Sequence, residues 1–185
     1  MRRSHFIAAL AIAFPLVTAA AVRGTPASRT EAAALDDATI VAIFDAANTA
    51  DIETGNLAAQ RGASKEVRTF GAMLARDHEQ VRQQGRDLAA KLHVTPTPPA
   101  DDQGAKAHAA ALAELQTLKG AAFDHAFLQH EYTFHRDVID AIQKTLLPAI
   151  QNEELKALVV KVAPAFQAHM EMAQQLEKQI ASNTN

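Results

Sequence analysis

The sequence predicts an all-α protein built from four long helices, and three observations lead there. Alanine is abundant and aromatic residues make up only 5% of the chain, a composition that favours helices over strands. Four stretches of 25–28 residues repeat their apolar side chains at the 3.6-residue period of a helix. Several of the few Gly and Pro residues fall between those stretches, where they act as breaks.

The first stretch, Asp37–Arg61, sets Ile40, Ile43, Phe44, Ala47, Thr54, Leu57 and Ala58 on one side, with Asp36 or Asp37 as N-cap. Gly62-Ala63-Ser64 reads as a short turn whose serine caps the second stretch, Lys65–Leu92. That stretch carries Val67, Phe70, Leu74, Val81, Leu88 and Leu92. Residues 93–104, HVTPTPPADDQG, cannot continue a helix, because Pro96, Pro98 and Pro99 remove donors and force extended backbone. A short helix, Ala105–Leu118, follows and ends at Lys119-Gly120. The third long helix, Ala121–Leu146, carries Phe123, Phe127, Phe134, Val138 and Ile142. After a turn around Pro148–Asn152 comes the fourth, Glu153–Ile180, with Leu155, Leu158, Val159, Val162, Phe166, Ala173, Leu176 and Ile180. Pro164 lies inside that pattern and should kink or split it.

Each long helix would span about 40 Å at ~1.5 Å per residue. The expected fold is a ferritin-like four-helix bundle with a short extra helix before the third long helix. In that arrangement the Pro-rich connection crosses the length of the bundle. Spacing alone leaves a plain up-down order open.

Residues 1–21, MRRSHFIAALAIAFPLVTAAA, read as a removable signal peptide: Arg2 and Arg3 lead an apolar run, and Ala19-Ala20-Ala21 offers a small-residue cleavage site. The run is shorter than the ~20 residues a spanning helix needs. The mature chain is therefore expected in the periplasm or secreted, not integral to the membrane. Residues 22–36 would be a flexible segment, 37–181 the bundle and 182–185 a frayed tail. Without Arg2 and Arg3, 16 basic residues stand against 21 acidic ones, a net charge of −5. Nucleic acid, which needs concentrated cationic surface, is excluded as a partner. The chain has no Cys, so disulfides, thiolate metal sites and Cys nucleophiles are excluded too.

The chemistry-bearing feature is a set of ionisable residues lying on the apolar stripes. Asp51 falls seven residues after Phe44 and seven before Ala58, while Glu53 lies at the stripe's border. Asp77 and His78 straddle the second stripe, Asp124, Glu131 and His135 lie on the inner side of the third, and His169 falls midway between Val162 and Leu176. Equal distances from a hairpin turn mean equal heights, and Asp51, His78, Glu131, His135 and His169 come within about one ~5.4 Å turn of one another. Asp124 sits roughly two turns away, where it would serve its own helix start. Buried carboxylates need partners or a cation. Three imidazoles with carboxylates from four helices form an N/O donor set suited to one ion of Zn, Fe, Mn, Ni or Cu. Glu53 and Asp77 would orient imidazoles from behind. His93, His108, His125 and His130 read as loop or solvent-side residues.

Ala50-Asp51-Ile52-Glu53-Thr54-Gly55-Asn56-Leu57-Ala58 opens a series of more specific signatures. Val67-Arg68-Thr69-Phe70-Gly71 leading to Arg76-Asp77-His78, Gly120-Ala121-Ala122-Phe123-Asp124, His135, and Ala163-Pro164 ahead of His169 complete it. On these residues the stretch from Asp37 to Ile180 resembles the bacterial domain of unknown function 4142 family, exported proteins grouped with ferritin-like folds. The resemblance implies a helical bundle in the periplasm or at the cell surface and no assured activity. The chain departs from the di-iron pattern of a Glu on two helices and Glu-x-x-His on the other two. Its third helix has Glu131-x-x-x-His135, and Phe166 stands three before His169.

The leading reading is therefore an exported bundle that binds a transition-metal ion, with a role in storage, buffering or envelope stress. The alternative is a non-enzymatic envelope interaction protein in which the same cluster only holds helix register. An enzyme is the weakest reading, since no nucleophile motif, phosphate loop or cofactor fingerprint accompanies the acids and histidines.

Overall fold

Asp36 turns its carboxylate onto the Thr39 N–H at 2.8 Å and so starts helix α1 (Asp37–Arg61). The computed structural model describes residues 35–183, all of whose regular structure is helical. The expected signal peptide and residues 22–34 lie outside the described residues. Leu35 packs against the core and Asp36 caps α1, so the last two residues expected in the flexible segment belong to the folded unit.

Ser64 Oγ accepts from Val67 N–H at 3.2 Å and opens α2 (Lys65–Lys91). The α1–α2 hairpin closes backbone to backbone at Gly55 and Gly71. A Cβ on Gly71 would stand 2.6 Å from the Gly55 carbonyl oxygen, and one on Gly55 would stand 2.7 Å from that of Gly71. Only glycine fits at either position.

The Pro-rich connection starts back along the hairpin, and Thr97 N–H donates to Ala38 O at 3.1 Å beside the start of α1. Helix α3 (Gln103–Thr117) begins two residues earlier than expected because the Asp102 carboxylate caps it through Ala105 N–H at 2.8 Å. It climbs beside α1: His108 meets Glu53, and Arg61 donates to the carbonyls of Gln116 and Leu118. Helix α4 (Gly120–Ala141) then starts at the α1–α2 turn. It continues through a π-helical turn (Ile142–Leu146) and the single turn α5 (Leu147–Ala149). Nothing in the apolar pattern signals that π turn. At the far end Asp37 accepts from the N–H groups of Gln151 and Asn152, both at 2.9 Å. Asn152 caps α6 (Glu153–Asn183) through Glu154 and Leu155 N–H.

These ties set the directions. Helices α1 and α6 rise, α2 and α4 descend, and the connection around α3 crosses the bundle, so the plain up-down order does not apply. Pro164 does not split α6. It is exposed, as is Val160, so the carbonyl left without a donor is free to meet water. The expected tail also shortens, because α6 runs to Asn183.

Two apolar clusters fill the bundle. Ile40, Phe44, Ile142, Leu155 and Phe166 belong to one, and Val67, Phe70, Leu74, Phe127 and Ala173 to the other. On every long helix the buried ionisable residues other than Asp124 fall between members of the two clusters. Replacing Gly71 with Ala should destabilise the chain by about 1–3 kcal/mol, because its Cβ meets backbone rather than a movable side chain. Urea denaturation of the Gly71→Ala variant checks this.

Candidate metal centre

The 3.6-residue repeat brings Asn48, Asp51 and Thr54 to one inner face of α1, and each long helix adds to the layer they start. His78 comes from α2, Glu131 and His135 from successive turns of α4, and His169 from α6. All are buried, from 0% exposure at Glu131 and His135 to 5% at His169. The five residues expected to meet, Asp51, His78, Glu131, His135 and His169, do meet.

Hydrogen bonds decide which nitrogen of each ring carries its proton. Asn48 Nδ2 donates to Phe44 O at 2.7 Å, which leaves Asn48 Oδ1 to accept from His78 Nδ1–H at 3.0 Å. His135 Nδ1–H donates to Glu131 O at 2.9 Å. His169 Nε2 lies 3.4 Å from Asp77 Oδ2 and donates outward. The remaining nitrogens, His78 Nε2, His135 Nε2 and His169 Nδ1, carry lone pairs and face one another. His78 Nε2 stands 3.1 Å from His169 Nδ1 and 3.4 Å from His135 Nε2, and all three atoms lie within 4.8 Å.

Burial keeps all three rings neutral. Burial, reinforced by His135 and His169, lowers the pKa of His78 to about 2. Burial and His169 lower that of His135 to about 3. Burial lowers that of His169 as well, against the opposing pull of Asp77. Two metal–imidazole bonds of ~2.0–2.1 Å at a tetrahedral angle place their nitrogens roughly 3.3–3.4 Å apart. Of the two nitrogen contacts in the cluster, the one at 3.4 Å matches that value and the one at 3.1 Å is slightly shorter. Phe166 wedges the arrangement, its ring edge-on to His78 at 5.1 Å between centroids and 5.8 Å from His135.

The carboxylates sit behind the imidazoles, at their Nδ1 edges. Asp51 Oδ2 is 3.4 Å from His78 Nδ1, Asp51 Oδ1 is 3.9 Å from His135 Nδ1, and Glu131 Oε2 is 3.5 Å from His135 Nδ1. Thr54 Oγ1 donates to Glu131 Oε1 at 2.7 Å. Both Asp51 oxygens and Glu131 Oε2 lack a hydrogen-bond partner among the described residues. Burial pushes Glu131 up to about 7, and burial together with the charge of Glu131 pushes Asp51 well above the usual carboxylate range. Asp51, Glu131 and His135 therefore form a second, oxygen-rich donor set beside the nitrogen one, with ligand atoms also within 4.8 Å.

Asp77 stands behind one imidazole, that of His169. Glu53 does not reach the cluster. Two residues beyond Asp51 it has turned about 200° around the helix, and it binds His108 Nε2 at 2.7 Å instead. His108 and His130 are half-buried rather than solvent-side, whereas His93 and His125 are exposed. Burial and His108 pull the pKa of His130 down to about 4. Asp124 serves not its own helix but the α1–α2 turn, where it accepts from the N–H groups of Ala63 (2.7 Å) and Ser64 (2.8 Å). Asn48 was not among the expected site residues, although it was readable: it lies four after Phe44 and three before Asp51, on the same stripe.

A family described as "Domain of unknown function (DUF4142)" matches residues 22–176. No curated protein matches the chain. A solved structure described as "CopM in the Cu(II)-bound form" shares its fold, with a TM-score of 0.63 and 16% identity over 79% of this chain and 98% of that one.

The shifted groups give the chain a pH-dependent stability whose sign follows from proton counts. His78, His135 and His169 refuse protons that the unfolded chain accepts below pH 6.5, so their contribution is lost as pH falls toward about 3. Asp51 and Glu131 act oppositely: the native chain keeps protons that a free Glu loses above 4.5, so stability falls as pH rises toward about 7. The two effects partly cancel from pH 6.5 down to the ordinary range of Asp at 3.8, and below that the imidazoles act alone. Urea midpoints of metal-free protein should decline gently to about pH 4 and steeply beneath it.

Proposed function

The chain belongs to the DUF4142 family, and we propose that it is an exported, ferritin-like bundle that binds one transition-metal ion through His78, His135 and His169. The observation that carries this reading is the meeting of three buried imidazole nitrogens, His78 Nε2 standing 3.1 Å from His169 Nδ1 and 3.4 Å from His135 Nε2, while the other nitrogen of each ring has an acceptor oxygen behind it. Lone pairs turned on one another repel, and a cation at their centre converts the repulsion into three bonds. The crossover between α2 and α4 supports the ferritin-like arrangement.

Asn48, the Glu131 carbonyl and Asp77 hold the rings in the tautomers that ligation needs. Asp51 and Glu131 stand a few ångströms behind them, where a bound cation would favour their ionised forms and so draw compensating negative charge from them. A bound ion would supply a Lewis-acidic centre, and Phe166 and the two apolar clusters limit water around it. The donors suit Zn, Ni or Cu(II) better than a di-iron pair, because α6 has no Glu three before His169 and both carboxylates sit behind the rings. The solved structure with the same fold holds Cu(II), so copper is the ion to test first. Storage or buffering of that ion in the envelope is the role such a resident site fits.

Protein titrated with Cu(II), Ni(II) or Zn(II) should bind one ion per chain, and its thermal midpoint should rise. Stabilisation reaches ~2.7 kcal/mol at about 100 times the dissociation constant. His135→Ala combined with His169→Ala should abolish both the binding and the shift. A wild-type midpoint unmoved by Zn, Mn, Fe, Ni and Cu would sink the reading and leave the cluster a purely structural one.

A further inference from the structure

The three lone pairs lie between the α1–α2 and α4–α6 hairpins, which meet along two seams. One of them, α1–α4, is covered by α3. His108 binds Glu53 there, Arg61 Nη1 and Nη2 donate to Gln116 O (2.8 Å) and Leu118 O (2.9 Å), and Leu115 is buried in the core. The other seam, α2–α6, carries no comparable cover among the described residues, and on it Asp77 faces His169.

Burial falls in steps along that seam. The His135 side chain is 0% exposed and that of His169 7%, while Asp77 reaches 32% and Arg76 63%. The other two acids at the cluster, Asp51 and Glu131, are at most 1% exposed and give no path to water. Asp77 divides its two oxygens. Oδ1 accepts from Arg76 Nε (3.0 Å) and Nη2 (2.8 Å), while Oδ2 is left to His169 Nε2 at 3.4 Å. His169 in turn presents its other nitrogen to the lone-pair centre, so one imidazole touches both the mouth and the interior.

Resting on the metal-binding reading above, we propose that the α2–α6 seam is the cation's way in and that Asp77 is the residue that collects it. A hydrated cation meets Asp77 Oδ2 first, in competition with Arg76 for the carboxylate. It passes inward when the His169 ring turns, and Asp77 then takes back the His169 N–H. Arg76 tempers the charge at the mouth and holds Asp77 in place between ions. The covered seam has no part in loading.

Stopped-flow absorbance with Cu(II) and the whole chain tests this. Asp77→Asn keeps an oxygen for His169 Nε2–H but removes the charge. It should slow association roughly tenfold, the lower end of what a steering charge supplies. It should also flatten the dependence of the association rate on ionic strength, which a merely structural role would leave alone. Arg76→Ala should speed association, and Glu53→Gln, on the covered seam, should leave it unchanged. A wild-type chain that binds Cu(II) one to one, with an Asp77→Asn association rate and salt slope equal to its own, would overturn the port and leave the metal site standing. Slowing by Glu53→Gln instead would place entry on the other seam and overturn the proposal. Wild-type protein that takes up no ion at all would remove the metal reading and the port with it.

Discussion

A layer of ionisable groups buried between two apolar layers is the constraint on which the rest of this structure depends. A carboxylate taken out of water without a partner is held at a penalty of several kcal/mol, and so is an unpaired imidazolium. The chain answers by neutralising what it buries. Its inner histidines are uncharged, and its paired acids hold protons they would lose in water. What remains is a set of lone pairs and half-satisfied oxygens with few partners besides one another. Such a layer is poor glue, and its chemistry is that of a ligand waiting for a positive charge.

Holding the layer in register falls to contacts outside it. Gly55 and Gly71 let α1 and α2 approach until backbone meets backbone, which sets the height of Asp51 against His78. Asp124 ties the start of α4 to the α1–α2 turn, and Asp37 ties its far end to the start of α1. Glu131 and His135 are thereby fixed at both ends of their helix. A slip of one residue along either hairpin would turn an imidazole by about 100° and move it by ~1.5 Å, more than a metal bond length tolerates. The carboxylates that clamp the helices thus belong to the site as much as those inside it.

Placement of the acids behind the rings also bears on how a bound ion would behave. Neutral nitrogen donors would supply affinity, while the acid pair behind the rings, on giving up its protons to solvent, would supply compensating charge without crowding the ion. The division separates this centre from carboxylate-bridged two-metal sites, in which the acids themselves are the ligands.

Sequence by itself determined the helices, a cap at Asp36 or Asp37 and one at Ser64, the stripe on which each buried ionisable residue lies, and the near-equal heights of the five that meet. Those features are local: periodicity and capping depend on neighbours within a turn or two of chain. That the ring Asp77 stands behind is that of His169 was decided by the packing of α2 on α6. Which way the connection through Pro96, Pro98 and Pro99 runs, that Glu53 pairs with His108, and that Asp124 caps another helix's turn were decided only in three dimensions. So were the ring tautomers and the separation of nitrogen donors from acids. Those depend on contacts between residues 30 to 115 positions apart, and on rotations about single side-chain bonds that no spacing rule encodes.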